Sequence, residues 1–194
     1  MRILLTEESS LLGGELSRTL SNTHQIRSLP AGTSLTDAEA IWGAVRGIDV
    51  VVHTGVSLNA AADGKSYEAE RVALDEATQG MHMLLDAVTQ AGVRRFVYCS
   101  TLELFSQTPD DRYISEQWRP DPGTDMASLS RHLAEQVTRE FARERPVSIT
   151  ILRLGRLRRE EDVSAQDTPD LMWLDPRDAA AAVAGAVPLD RSGQ

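Results

Sequence analysis

The sequence predicts an α/β protein built as a doubly wound parallel sheet, and three observations carry that prediction. Short apolar runs alternate with amphipathic helical stretches along all 194 residues, the order that a parallel sheet with helices on both faces requires. Two of the runs, IDVVVHTGV (48–56) and RRFVYCS (94–100), are continuously apolar rather than alternating, as in strands buried on both faces. Hydrophobic residues make up 41% of the chain and charged residues 25%; these are ordinary globular values, and the length suits one domain, 1–194, with a sizeable core.

Each element has its own local signal. RILLT (2–6) is a short apolar run bounded by polar residues and reads as the first strand. LLGGELSRTL (11–20) follows as a helix, with Leu12, Leu16 and Leu20 on one face and Ser9 or Ser10 available as N-cap. HQIRSL (24–29) is a second strand, ended by Pro30 and Gly32. LTDAEAIWGAVRG (35–47) is a helix capped by Thr36 or Asp37 and stopped by Gly47.

After the 48–56 strand, the small polar stretch SLNAAADGKS (57–66) reads as a loop. A long helix is expected over 68–91, where Leu74, Ala77, Met81, Leu84 and Val88 recur at three- and four-residue spacing. Beyond the 94–100 strand, residues 107–125 carry three prolines and should be irregular. A helix over 126–143, the strand SITILRL (148–154) and a final helix over 175–187, with Pro176 near its first turn, complete the order.

Composition narrows the function classes. Net charge is −9 and the 20 basic residues are scattered, so no stripe resembles the footprint of a phosphate-backbone binder and nucleic acid is not an expected partner. The small cluster RLRRE (156–160) reads as a solvated loop. Cys99, the single cysteine, lies in an apolar run and reads as a buried, inert thiol suited to a reducing compartment. No run approaches the roughly 20 apolar residues of a membrane span, and MRILLTEESS lacks the character of an export signal; a cytoplasmic location is expected. His24 and His82 have no ligand partner at metal spacing, so no metal site is expected.

Six phrases, taken in order, resemble the extended short-chain dehydrogenase/reductase superfamily of the NAD-dependent epimerase/dehydratase type. MRILLT…LLGGEL is similar to its opening strand and helix, and LTDAEAIWGAVRGIDVVVHTGV to its third-to-fourth strand region. GMHMLLDAVTQAGVRRFVYCST is similar to its fourth helix and fifth strand, and SRHLAEQVTREFARE to its active-site helix. ITILRLG resembles the sixth strand, and LDPRDAAAAV the downstream helix bearing Asp178, which in the family mostly supports structure. The resemblance covers nearly the whole chain and implies a Rossmann-like domain with NAD or NADP as cofactor.

It also implies particular site residues, and here the chain departs from the pattern. Family members hold the dinucleotide pyrophosphate on a TGxxGxxG turn, whose glycines let backbone N–H groups and the helix dipole face the phosphates. Glu7 and Ser10 stand at the first two of those glycines, and Gly13 alone is kept. Glu7 or Glu8 could itself occupy the helix N-terminus as a built-in anion. SLPAG (28–32) offers no acidic residue or arginine to read the ribose, and Ser34 stands where the family often places an Asp for adenine. Only six residues separate Pro30 from Asp37, so the second helix and third strand are expected to be shortened.

The family's proton relay couples a Ser or Thr to a Tyr and to a Lys four residues later. Thr101 matches the first, but Ala127 stands at the Tyr position and Arg131 at the Lys position. Nineteen of the 20 basic residues are Arg, and the sole lysine, Lys65, follows no tyrosine at that spacing. Tyr67 and Arg71 have the spacing, although Arg cannot act as a titrating neighbour. His53 ends a buried strand beside the cleft, as a strand-end side chain or a general base; His132 reads as a surface residue on its helix.

Only 24 residues separate Arg153 from Asp178 and 16 follow it, so substrate-binding segments are expected to be largely missing. The expected function is therefore that of a degenerate, non-catalytic relative acting through binding or assembly. The alternatives are an oxidoreductase or epimerase of unusual mechanism using Thr101 with His53 or a substrate group as the acid or base, and a sensor that binds NAD(P) or another metabolite without reacting. Family dimers pair through the helices at 68–91 and 126–143, which implies a homodimer or a dimer with an intact relative.

Overall fold

The computed structural model describes residues 1–55, 67–109, 112–164, 166–168 and 170–188. The first five strands and helices run β1 (Arg2–Leu5), α1 (Leu11–Leu20), β2 (Gln25–Ser28), α2 (Ala38–Val45) and β3 (Val50–His53). There follow α3 (Tyr67–Asp75), α4 (Met81–Gln90), β4 (Arg95–Thr101), α5 (Met126–Glu144), β5 (Ser148–Leu154), the short strands β6 (Arg156–Leu157) and β7 (Trp173–Leu174), and α6 (Pro176–Ala186). The expected loop at 57–66 lies outside the described residues.

β1 to β5 form one parallel sheet in the order β2-β1-β3-β4-β5. That is the usual nucleotide-binding order 3-2-1-4-5-6 without its third strand. The shortened connection between Pro30 and Asp37 closes instead through turns, with Thr33 N–H donating to Pro30 O and Asp37 N–H to Ser34 O. Gly32 takes φ +79° there, a conformation that favours glycine.

Because strand side chains alternate, the sheet divides its residues between two cores. Leu4, Val51, Phe96 and Tyr98 face α2, α4 and α5 through Ile41, Val45, Met81, Leu84 and Phe141. Ile3, Leu5, Val50, Val52, Val97 and Cys99 face α1 and α6 through Leu12, Leu16, Ala179 and Val183. Burial on both faces is why β3 and β4 carry the consecutive apolar residues Val50–Val52 and Phe96–Cys99.

The caps fall where short polar side chains precede apolar periodicity. Ser10, rather than Ser9, accepts from Gly13 N–H at the start of α1, and Asp37, rather than Thr36, accepts from Ala40 N–H at the start of α2. Asp175 caps α6 and Pro176 occupies its first turn, while Asp178 is exposed in that turn.

Four expectations need correction. The single helix over 68–91 is interrupted by a π-helical turn, Glu76–Gly80. At that turn a Cβ on Gly80 would fall 2.7 Å from the Leu35 Cβ, and the Glu76 carboxylate accepts from Leu35 N–H at 2.8 Å and from the Ser34 hydroxyl. The connection at 34–36 therefore docks on the helix at the irregular turn. RLRRE is not a solvated loop, since Arg156–Leu157 pairs with Trp173–Leu174. Its arginines are committed within the molecule: Arg156 to Asp170 at 2.6 Å, Arg158 to Asp167 at 2.5 Å and over the Trp173 ring at 4.4 Å.

His132 is half-buried rather than a surface residue, and its Nδ1 has no partner among the described residues. Finally, Glu8 does not serve as an anion at the N-terminus of α1, because Ser10 fills the cap and the Glu8 carboxylate turns to Ser17 and Ser28. Among the described residues no helix is long and apolar enough to cross a membrane.

Candidate functional site

In an open parallel sheet, ligands bind beyond the carboxyl ends of the strands, and two cavities lie there. The first, about 350 Å³, is lined among others by Glu7, Ser10, Tyr98, Thr101, Glu103, Arg131 and Arg156. The second, about 710 Å³, is lined by Glu7, Glu8, Ser34, His53, Val72 and Glu76 with the 29–35 connection. Glu7 and Gly55 belong to both. The structure thus brings Glu7, Ser10, Thr101 and Arg131 together, and separately Glu7, Ser34 and His53. Gly13 and Ala127 line neither.

Gly13 explains the shape of the turn. A Cβ there would sit 2.0 Å from the Glu7 carbonyl oxygen and 2.8 Å from the Glu8 Cα, so only glycine allows α1 to start against the chain leaving β1. The neighbouring Gly14 has no such constraint; its nearest atom would be 3.8 Å away. The turn that follows carries acid on both sides. Burial pushes the half-buried Glu7 carboxyl above the usual carboxylate range. Hydrogen bonds from Ser17 and Ser28 hold the Glu8 carboxyl below it.

Thr101 ends β4 and caps the 3₁₀ turn Leu102–Phe105, its Oγ1 accepting from Glu103 N–H at 3.1 Å. Arg131, on the second turn of α5, donates from Nη1 to Glu103 Oε2 at 2.6 Å, and Arg156 donates to the other Glu103 oxygen at 3.1 Å. With the Asp170 contact this makes a chain of alternating charge, Arg131, Glu103, Arg156 and Asp170, whose first three members line the first cavity. Ala127 lies in the first turn of α5, behind the Asp125 cap.

Behind this wall, Glu135 is fully buried and accepts from Ser100 at 2.9 Å, Arg139 at 2.9 Å and Arg153 at 2.5 Å. Burial alone would raise its pKa, but the bonds from Arg153, Arg139 and Ser100 hold it below the carboxylate range. Arg153 also stacks over the Phe105 ring at 4.8 Å.

His53 is 3% exposed, with Nδ1 2.8 Å from Thr6 Oγ1 and its ring stacked on Tyr98 at 5.4 Å. Burial lowers its pKa from 6.5 to about 4, so it is neutral at physiological pH. Burial, with the Glu135 carboxylate, raises the Tyr98 phenol above its ordinary range, and burial pushes the Cys99 thiol up to about 12. None of these three groups is poised to exchange a proton near neutrality. Arg71 pairs with Glu68 and Asp75 on the outer face of α3, away from both cavities. Among the described residues no group of three His, Cys, Asp or Glu side chains could hold a metal ion.

Glu76 and Glu103 are not singled out by sequence, and Glu8 reads there only as an anion for the helix N-terminus, not as a partner of Ser17 and Ser28. Glu76 and Glu103 meet Leu35 and Arg131 across 41 and 28 residues, and no periodic signal marks such a meeting.

Parallel sheet and flanking helices together define a Rossmann-like α/β domain. Residues 19–186 match the family model described as NAD(P)H-binding, and the chain belongs to that family. Its fold is that of the extended short-chain dehydrogenases and reductases. No curated protein matches the sequence. A short-chain dehydrogenase/reductase superfamily protein from Agrobacterium tumefaciens with bound NAD superposes with a TM-score of 0.71 at 24% identity, over 84% of this chain and 53% of that one. UDP-glucose 4-epimerase from Thermotoga maritima with UDP-glucose gives 0.78 at 16% identity, over 96% of this chain and 73% of that one. Uronate dehydrogenase from Agrobacterium tumefaciens gives 0.72 at 21% identity, over 95% and 71%. This chain thus spans about half the length of the first and under three quarters of the others.

The residues present fit the adenosine half of such a dinucleotide better than its pyrophosphate. The larger cavity is open at the end of β2 and walled by Leu29, Pro30 and Val72. The turn at α1 keeps its shape through Gly13, yet the Glu7 carboxyl stands where the two cavities meet.

Proposed function

We propose that this chain is a non-catalytic member of the NAD(P)H-binding family that acts through binding or assembly. One observation carries the reading. At the position of the family's proton-exchanging Tyr stands Ala127, which has no proton to give, and the Arg at the Lys position is paired with Glu103 at 2.6 Å. A guanidinium stays protonated throughout the physiological range and cannot itself exchange a proton.

The larger cavity favours a second reading within the same class, a sensor that holds NAD(P) without reacting with it. An oxidoreductase or epimerase of unusual mechanism would use His53 or a substrate group as its acid or base, and a pKa of about 4 makes His53 a weak one. The helices at 68–91 and 126–143 would form the assembly face, with a second copy or an intact relative, in the cytoplasm, where the Cys99 thiol stays reduced.

The test is a search for NAD(P)H consumption or production with a panel of carbonyl compounds and sugar nucleotides. No turnover is expected. Turnover that disappears in Thr101→Ala overturns the reading. Light scattering of the purified protein, alone and mixed with an intact relative, tests the assembly face; a monomer in both cases overturns it.

A further inference from the structure

The carboxyl end of β2 is where a parallel nucleotide-binding sheet places the acid that accepts the ribose hydroxyls. β2 ends in Ser28, and the SLPAG stretch carries no acid. An acid nevertheless stands there. The Glu8 carboxylate, from the turn between β1 and α1, accepts from the Ser28 hydroxyl on Oε2 at 2.5 Å and from the Ser17 hydroxyl on Oε1, and it lines the larger cavity.

A carboxylate oxygen has two lone pairs. Each serine uses one, which leaves one acceptor on each oxygen, side by side, matched to two vicinal hydroxyls. The serines also fix the carboxylate on two sides, so its orientation does not depend on the ligand.

The surroundings disfavour a phosphate on the same ribose. A 2′-phosphate brings about −1.5 to −2 charges toward Glu7, Glu8 and Glu76, and no Lys or Arg is among the described residues that line the cavity. The nearest cation on the strand, Arg27, is tied to the carbonyl oxygens of Ala44 at 3.0 Å and Arg46 at 3.1 Å at the end of α2.

We propose that Glu8, positioned by Ser17 and Ser28, replaces the acid normally carried by the second strand and makes this cleft select a dinucleotide with free 2′,3′-ribose hydroxyls, NAD over NADP. The proposal rests on the reading of the chain as a binding protein of its family and names what it binds.

Calorimetry on the full chain near neutral pH, with NAD and NADP titrated separately, is the test, supported by the fluorescence change of NADH. NAD should bind at least about tenfold more tightly than NADP, and Glu8→Gln should shrink that ratio to within about threefold. Ser28→Ala, which removes one support and keeps the charge, should weaken NAD while leaving NADP weak. Matching unfolding midpoints show that the variants are folded. Equal or tighter binding of NADP, a ratio unmoved by Glu8→Gln, or no heat from either dinucleotide at millimolar concentration overturns the proposal and leaves the non-catalytic reading standing. Hydride turnover with NAD preference intact does the reverse.

Discussion

Arg131 and Glu103 face each other across 28 residues of sequence and meet at 2.6 Å in the wall of the smaller cavity. Both side chains are about one third exposed, and Arg156 shares the same carboxylate. Glu103→Gln should therefore change stability by no more than about 1 kcal/mol, the range of partly solvated pairs, as read from urea denaturation. A much larger loss would mean that the charge chain is a structural brace rather than a lining of the cavity.

Glu135 should behave differently. Its carboxylate is fully buried with Arg153, whose side chain is 10% exposed, so Glu135→Ala strands a buried cation and should cost about 3–5 kcal/mol. The pH dependence has a definite sign. Because its folded-state pKa is depressed, the stability it contributes is complete above the ordinary carboxyl value of 4.5 and is lost as pH falls through the lower folded value. Acid denaturation curves of the wild type and Glu135→Gln should converge in that range.

His53 supplies a second pH window. With a folded pKa of about 4 against 6.5, the unfolded chain takes up the proton first, so stability present above pH 6.5 declines as pH falls toward 4. The slope reaches at most about 1.4 kcal/mol per pH unit. Proton NMR should show the imidazole neutral at pH 6, and His53→Asn should flatten the decline between those values.

Adjacent glycines should give opposite results. Gly13→Ala forces a Cβ to within 2.0 Å of backbone and should cost about 1–3 kcal/mol by overpacking. Gly14→Ala meets nothing closer than 3.8 Å and should be neutral or stabilising by up to about 1 kcal/mol through helix propensity. Thermal unfolding of the two variants side by side decides the matter; equal midpoints would refute the account of the turn.

Much of the fold was legible in local pattern. The strand Ser148–Leu154 and the helix Leu11–Leu20 fall on their expected boundaries, because a short apolar run and a capped amphipathic stretch carry their own limits. The π turn at Glu76–Gly80 was not legible. The apolar series from Leu74 to Val88 continues through it at helical spacing, and the cause lies 41 residues away at Leu35. The site divides in the same way. Ala127 and Arg131 could be placed by resemblance alone, whereas the carboxylates of Glu8 and Glu103 acquire meaning only when the sheet brings Ser28 and Arg131 to them.

The pairing of Arg153 with Glu135 also bears on how the molecule avoids sticking to its neighbours. β5 is a border strand of the sheet, seven residues long and rich in Ile and Leu, the type of edge that invites another chain to add a strand. A charge turned inward from that strand is tolerated only beside its own buried carboxylate, and an incoming copy would have to accommodate the same arrangement. Replacing both partners by apolar side chains of similar volume could leave the folded protein as stable or more so, and it would remove that safeguard from the exposed edge.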